Sequence, residues 1–353
     1  MTELLPLPLL VFAVAAALAG SAKSSTLTEE QALFVSAEVA RYARFVASLA
    51  LENGAVVQYM LENSTTLDPA SLPTVDGVTP AVYTQWPSGR VVPYFSHIAV
   101  IGMLVAAPQV EETKLVAERY IGWYLDRLNT AASDYNGVDG TVYDYDAFVD
   151  PSNASHVVEV APEQHYDSTD SYAACFLRLL CEYHRAYGSS ATFGSRRADV
   201  DRVVAAMLST FEQGANLTAA KPDYAVCYLM DNAEVYDGCV AAAELYASAF
   251  GDTKRAEQLR AVAAAVASGV EQHLFDQEHG TFTVENFAAR DVQPDQVGDI
   301  LAALRDWFAT PHNSCHTHTA QSSVVATGRA SASAWCSLPM LLQRARHRSS
   351  NES

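Results

Sequence analysis

Between residues 93 and 274 the chain writes helices of two kinds in alternation, and this alternation limits the possible folds more than any other feature. "PYFSHIAVIGMLVAA" (93–107) is apolar nearly all round, whereas "VEETKLVAERYIGWYLDRLN" (110–129) is amphipathic. The order repeats with an apolar-striped segment at 168–187, an amphipathic one at 196–213, and a second such pair at 231–250 and 252–274. In 168–187 the apolar residues Tyr172, Cys175, Phe176, Leu179, Leu180 and Tyr183 recur at the three- and four-residue spacing of one helix face. A helix without a polar face must be covered on every side, while one with a polar face can line the surface. Hairpins of inner and outer helices therefore predict an all-α protein built in concentric layers. An amphipathic helix is also expected over 28–61, opened by Thr28 as N-cap, and another at 293–309. The loop 131–166, which holds "GTVYDYDAF", is expected to contain a short strand or two, "KPDYAVCYLM" to be extended, and "HGTFTVENF" to form a hairpin.

Two of the inner segments open alike. "DSTDSYAAC" (167–175) and "DNAEVYDGC" (231–239) agree in kind at Asp167/Asp231, Asp170/Glu234, Tyr172/Tyr236 and Cys175/Cys239. Each acid pair has the spacing of a capping box, in which the first side chain accepts an orphan N–H and the second reaches back. The same positions would set carboxylates around the mouth of an inner layer. Capping and chemistry are both open here, and they can coexist. Cys175 and Cys239 lie at equal depth and read as buried thiols, since neighbouring helices are generally too far apart for a disulfide.

The hairpin lengths, the carboxylates opening the inner helices and the stretch "YLMDNAEVYDGCVAAAEL" together resemble the six-hairpin glycosidase superfamily, over roughly 28–309. The resemblance implies an (α/α)6 toroid, a cleft where the inner helices begin, and an inverting hydrolase or a lyase. A closed toroid has twelve helices and about eight are readable before Pro311, so the array is expected to be incomplete at its C-terminal end. The division is then a signal peptide at 1–22, a toroid domain at 23–310 and an atypical basic, low-complexity tail at 311–353.

Glycoside hydrolysis needs one carboxyl group that keeps its proton and another that is ionised. On the resemblance these are Asp170 and Glu234, one from each stretch, with Asp167 and Asp231 as tuning partners or sugar ligands. Tyr172, Asn232 and Tyr236 stand beside them. Tyr143 and Asp144 in the aromatic-acid loop, together with Trp86, complete the expected substrate-binding set. Tyr83, Tyr94, Tyr166, Tyr224 and Tyr228 extend the same theme, because rings suit the apolar faces of pyranoses while carboxylates accept from their hydroxyls. A non-catalytic glycan-binding protein on the same fold is the competing expectation.

Other features narrow the setting. With half its residues hydrophobic and 18% charged, the chain is not a disordered one. Its formal charge of −19 argues against nucleic acid as a partner, and the resemblance implies an oligosaccharide or polysaccharide as the substrate. The apolar run Leu4–Leu18 is short for a membrane span and ends in small residues, as a secretory signal does. Secretion or an endomembrane lumen is therefore expected, with glycosylation at the sequons of Asn63, Asn153 and Asn216; Asn351 carries a fourth. "HNSCHTHT" groups metal-ligand types without a partner cluster, and no nucleotide or nucleophile-elbow fingerprint occurs. No metal and no cofactor are expected.

Overall fold

The computed structural model describes residues 29–61, 67, 69–188 and 191–285. The signal-peptide segment 1–22, Thr28, Asn63, the expected helix at 293–309, the tail at 311–353 and Asn351 lie outside the described residues. The chain forms two compact units, one spanning Ala43–His273 and the other containing the described residues 29–42 and 274–285.

Three helical hairpins organise the larger unit. They are α2 (Pro93–Ala106) with α3 (Glu111–Leu125), α4 (Asp170–Tyr187) with α5 (Arg197–Met207), and α6 (Leu229–Ser248) with α7 (Thr253–His273). The inner helices lie side by side in the order α2, α4, α6, each backed by its own outer helix. Every residue of α4 from Asp170 to Tyr183 is buried, which its apolar stripe alone does not explain. Two of the charged ones are paired: Arg178 takes both carboxylate oxygens of Asp237 on α6, at 2.6 and 2.7 Å, and pairs with Glu182 at 2.6 Å. Close approach of α4 and α6 requires glycine at 238, where a Cβ would lie 2.7 Å from Ala174 Cα. Cys175 and Cys239 are buried thiols, as their spacing predicts.

Several segments depart from the periodic expectation. Helix α1 (Glu29–Ser48) ends thirteen residues before position 61, because the chain turns at Gly54 in the left-handed region (φ 97°). A Cβ at Gly54 would lie 2.5 Å from the Arg119 carbonyl oxygen, so no larger residue fits that turn. Helix α5 stops at Met207 rather than 213, and the chain then forms a two-stranded hairpin of β5 (Phe211–Glu212) and β6 (Leu217–Thr218). An antiparallel sheet in the order β1 (Met60–Leu61), β2 (Ser88–Val91), β3 (Tyr145–Val149), β4 (Val157–Val160) joins two loops that helical periodicity leaves blank. Its register pairs Arg90 with Asp146 and Val91 with Tyr145. In the other unit, Phe275 and Phe282 face each other across the expected hairpin, formed by β7 (Phe275–Asp276) and β8 (Thr281–Phe282).

Candidate active site

The N-terminal ends of the three inner helices carry one cluster of side chains. Tyr94, in the first turn of α2, donates its hydroxyl to Glu234 Oε1 on α6 at 2.7 Å. Its ring stacks on Tyr172 of α4, with centroids 5.9 Å apart and planes 26° apart. Asp170 opens α4, and Asp231 lies in the first turn of α6. Two residues 64 apart in sequence, Asp170 and Glu234, thus meet because α4 and α6 are neighbours in the inner layer.

The capping boxes do not form. Helix α4 begins at Asp170, so Asp170 is its first residue rather than its third, and α6 begins at Leu229 ahead of Asp231. Neither helix has a side-chain bond from its N-cap residue, Thr169 or Tyr228. At α4 a neighbouring serine supplies the acceptor: the Ser171 N–H reaches Ser168 Oγ at 3.0 Å and Asp170 Oδ1 at 2.8 Å. The repeated acids therefore differ in helical position, and end-capping does not explain their burial.

Their environment is hostile to charge. Asp170 is fully buried and Glu234 nearly so, at 3% exposure, while Asp231 retains 5%. Burial raises all three carboxyls: Asp170 to about 6, Glu234 to about 8, and Asp231 well above the ordinary aspartate value. Mutual repulsion adds to the rise at Asp231 and Glu234, while Ser168 and the Ser171 N–H limit it at Asp170. Asp170 Oδ2 and Glu234 Oε2 have no hydrogen-bond partner among the described residues. Three such groups cannot all be ionised together, so the cluster holds protons near neutrality.

Asp144 forms the outer edge of the site. It accepts the Tyr172 hydroxyl at 3.2 Å and pairs with Arg90 at 3.5 Å. Burial outweighs Arg90 and raises this carboxyl to about 6. Asp167 is exposed, and its charge acts on both Asp144 and Asp231, so it lies between them electrostatically. Arg90 carried no sequence signal, because a lone arginine becomes legible only through the β2–β3 register. Ser168 could have been found from the S-x-x-S spacing at the start of α4.

The remaining expected ligands separate. Tyr143 is buried beside Tyr166 and Tyr172, and its hydroxyl donates to the Ser133 carbonyl at 2.8 Å. Asn232 is fully buried and fastens α6 to β6: its Oδ1 accepts the Thr218 N–H at 2.8 Å, and its Nδ2 donates to the Thr218 carbonyl at 3.0 Å. Tyr236 is half-buried on α6 beside Asp237. Trp86 packs on the separate core of Leu72, Tyr83, Phe148, Val158 and Val160, before the end of β2 remote from Asp144. Tyr83 lies wholly inside that core. Asn153 is exposed in the β3–β4 turn, and Asn216 is half-exposed in the β5–β6 turn. Among the described residues, no three histidine, cysteine or acidic side chains are arranged to hold a metal ion.

A solved structure of an unsaturated glucuronyl hydrolase variant with dGlcA-Glc-Rha-Glc is similar to this chain, with a TM-score of 0.50 and 12% identity. The fold is an α/α toroid. The match covers 77% of this chain and 64% of that one, so this chain spans less than two thirds of the toroid protein it resembles. At 12% identity the likeness shows the fold alone. No protein-family model and no curated protein matches the sequence. The carboxyl cluster lies where the inner helices of this toroid fold begin.

Proposed function

We propose that the protein hydrolyses a glycosidic bond by general acid–base catalysis. The observation that carries this assignment is the unlike setting of two carboxyls, Asp231 in the first turn of α6 and Asp144 just before β3. Asp231 is raised well above the ordinary range and makes no hydrogen bond among the described residues, whereas Asp144 has Arg90 beside it and rises only to about 6. A carboxyl that keeps its proton near neutrality can protonate the leaving oxygen, and one that has lost it can activate water. Asp231 is then the acid and Asp144 the base, with exposed Asp167 accepting from sugar hydroxyls. Asp170 and Glu234, more deeply buried, are positioning residues that act through Asp231, their charges opposing its ionisation. This exchanges the roles that the repeat suggests, because accessibility decides which acid can touch a substrate. The apolar leader and the exposed sequon at Asn153 support a secreted or endomembrane glycoprotein.

The test is hydrolysis of an oligosaccharide panel by Asp231→Asn. Loss of the general acid should lower kcat/KM by about 10²–10⁴-fold. In Asp170→Asn the alkaline limb of the pH profile should move to lower pH, because one charge opposing Asp231 is gone. Binding without turnover by the wild type would leave a glycan-binding protein in place of an enzyme.

A further inference from the structure

A strip of aromatic rings that this chemistry does not use runs beside the carboxyl cluster. Tyr135, 41% exposed, lies nearly parallel to His165, with centroids 5.8 Å apart and planes at 17°. Its other support is the buried Tyr166, 5.0 Å away, on which Tyr143 stacks at 6.0 Å. The Tyr135 N–H also donates to the Tyr143 hydroxyl at 3.0 Å, so ring and backbone are both held. Lys221 donates to His165 Nε2 at 3.1 Å and lies 6.0 Å from the centroid of the Tyr224 ring. Tyr224, 48% exposed, shares a hydroxyl–hydroxyl bond of 3.1 Å with Tyr228. Asn136 joins the two loops by donating to Asp223 at 2.9 Å.

The strip leads into the acids. His165 and Tyr166 directly precede Asp167, Tyr143 precedes Asp144, and Tyr228 lies three residues before Asp231. Tyr143, Tyr166 and Tyr172 share one buried cluster, which continues to Tyr94. Exposed ring faces on a fixed backing, edged by hydroxyls, an amide and an ammonium, match the alternation of C–H face and hydroxyl edge on a pyranose. Lys221 has three donors, of which His165 occupies one, and it has no carboxylate partner among the described residues.

We infer that Tyr135 and Tyr224, with Lys221 between them, form a second sugar subsite that holds a pyranose unit away from the bond being cut. The inference rests on the glycan assignment made above. It explains why Tyr135 is exposed yet held by His165 and Tyr166 and why Tyr224 is exposed beside Lys221, and it makes the substrate a chain rather than a single sugar.

Calorimetric titration of Asp231→Asn with cello-, chito-, malto- and xylo-oligosaccharides of increasing length tests it, since that protein binds without consuming the ligand. Affinity should rise with length and then level off. Adding Tyr135→Ala or Tyr224→Ala should weaken binding of the longer chains about tenfold, in the range of an aromatic anchor, and remove the length dependence. Tyr224→Trp should keep it, because stacking needs only a flat ring. Tyr59→Ala, at an exposed tyrosine beside β1, should leave it unchanged. Length dependence that survives the double alanine variant, that is absent at the outset, or that is lost equally in Tyr59→Ala overturns the subsite, and so does binding to no member of the panel. Binding through these tyrosines together with no hydrolysis by the wild type would remove the enzyme assignment and leave the subsite standing.

Discussion

Glu234→Gln should make the protein more stable at alkaline pH while leaving it nearly unchanged at pH 5. Glu234 is buried on α6, and its carboxyl rises from 4.5 to about 8, chiefly through burial and also through Asp170. The native state therefore keeps a proton that the unfolded chain releases near 4.5. Between those two values the unfolded state binds fewer protons, so stability must fall as pH rises. Each pH unit of separation is worth about 1.4 kcal/mol, which over this window amounts to about 5 kcal/mol. That is a ceiling, because Asp170 and Asp231 share the cluster and the three lose protons as a set. It is still large against the roughly 5–15 kcal/mol that holds a domain folded. Glutamine has the shape of the protonated acid and keeps an oxygen for the Tyr94 hydroxyl, so the variant removes the titration without removing the contact. Urea melts of both proteins at pH 5, 6, 7, 8 and 9 measure the effect. The wild type should lose several kcal/mol across the series, and the variant should lose less and be the more stable protein at pH 9. Parallel decline of the two, or a variant weaker at every pH, would show that the carboxyl is ionised in the native state and would refute the proton-holding cluster.

Three further perturbations check other parts of the molecule. Asp237→Ala leaves Arg178 charged and buried in the inner layer and should cost about 3–5 kcal/mol, read by chemical denaturation, whereas Arg178→Met with Asp237→Leu should recover much of the loss. Tyr94→Phe removes the hydroxyl that stabilises the ionised form of Glu234, so its carboxyl should rise further, and the stability loss, which starts near the same pH as in the wild type, should continue to a higher pH and be larger, with the Tyr172 stack retained. Peptide:N-glycosidase treatment of protein secreted from a eukaryotic host should reduce its apparent mass by one glycan fewer in Asn153→Gln; equal shifts with and without that asparagine would exclude the site.

Local periodicity determined the helices, because a side chain's face depends only on its spacing along the chain. The alternation of apolar and amphipathic segments placed α2, α4 and α6 inside and α3, α5 and α7 outside. The repeated acid-tyrosine-cysteine pattern also located the carboxyls at the entrances of successive inner helices. What each acid does there was decided only by tertiary packing. Asp170 is enclosed because α4 is flanked on both sides, by α2 and α6, and Glu234 because it faces inward to Tyr94 of α2, while Asp231 keeps part of its surface. Asn232, next to Asp231 in sequence, points back to Thr218 and supports the fold instead. Arg90 meets Asp144 only through the pairing of β2 with β3, strands whose residues lie more than fifty positions apart. Trp86, four residues from Arg90, is carried by the same strand pairing into another core. Helical spacing is a property of neighbours along the chain, whereas exposure, hydrogen-bond partner and charge environment belong to neighbours in space, and these exist only once the layers have packed.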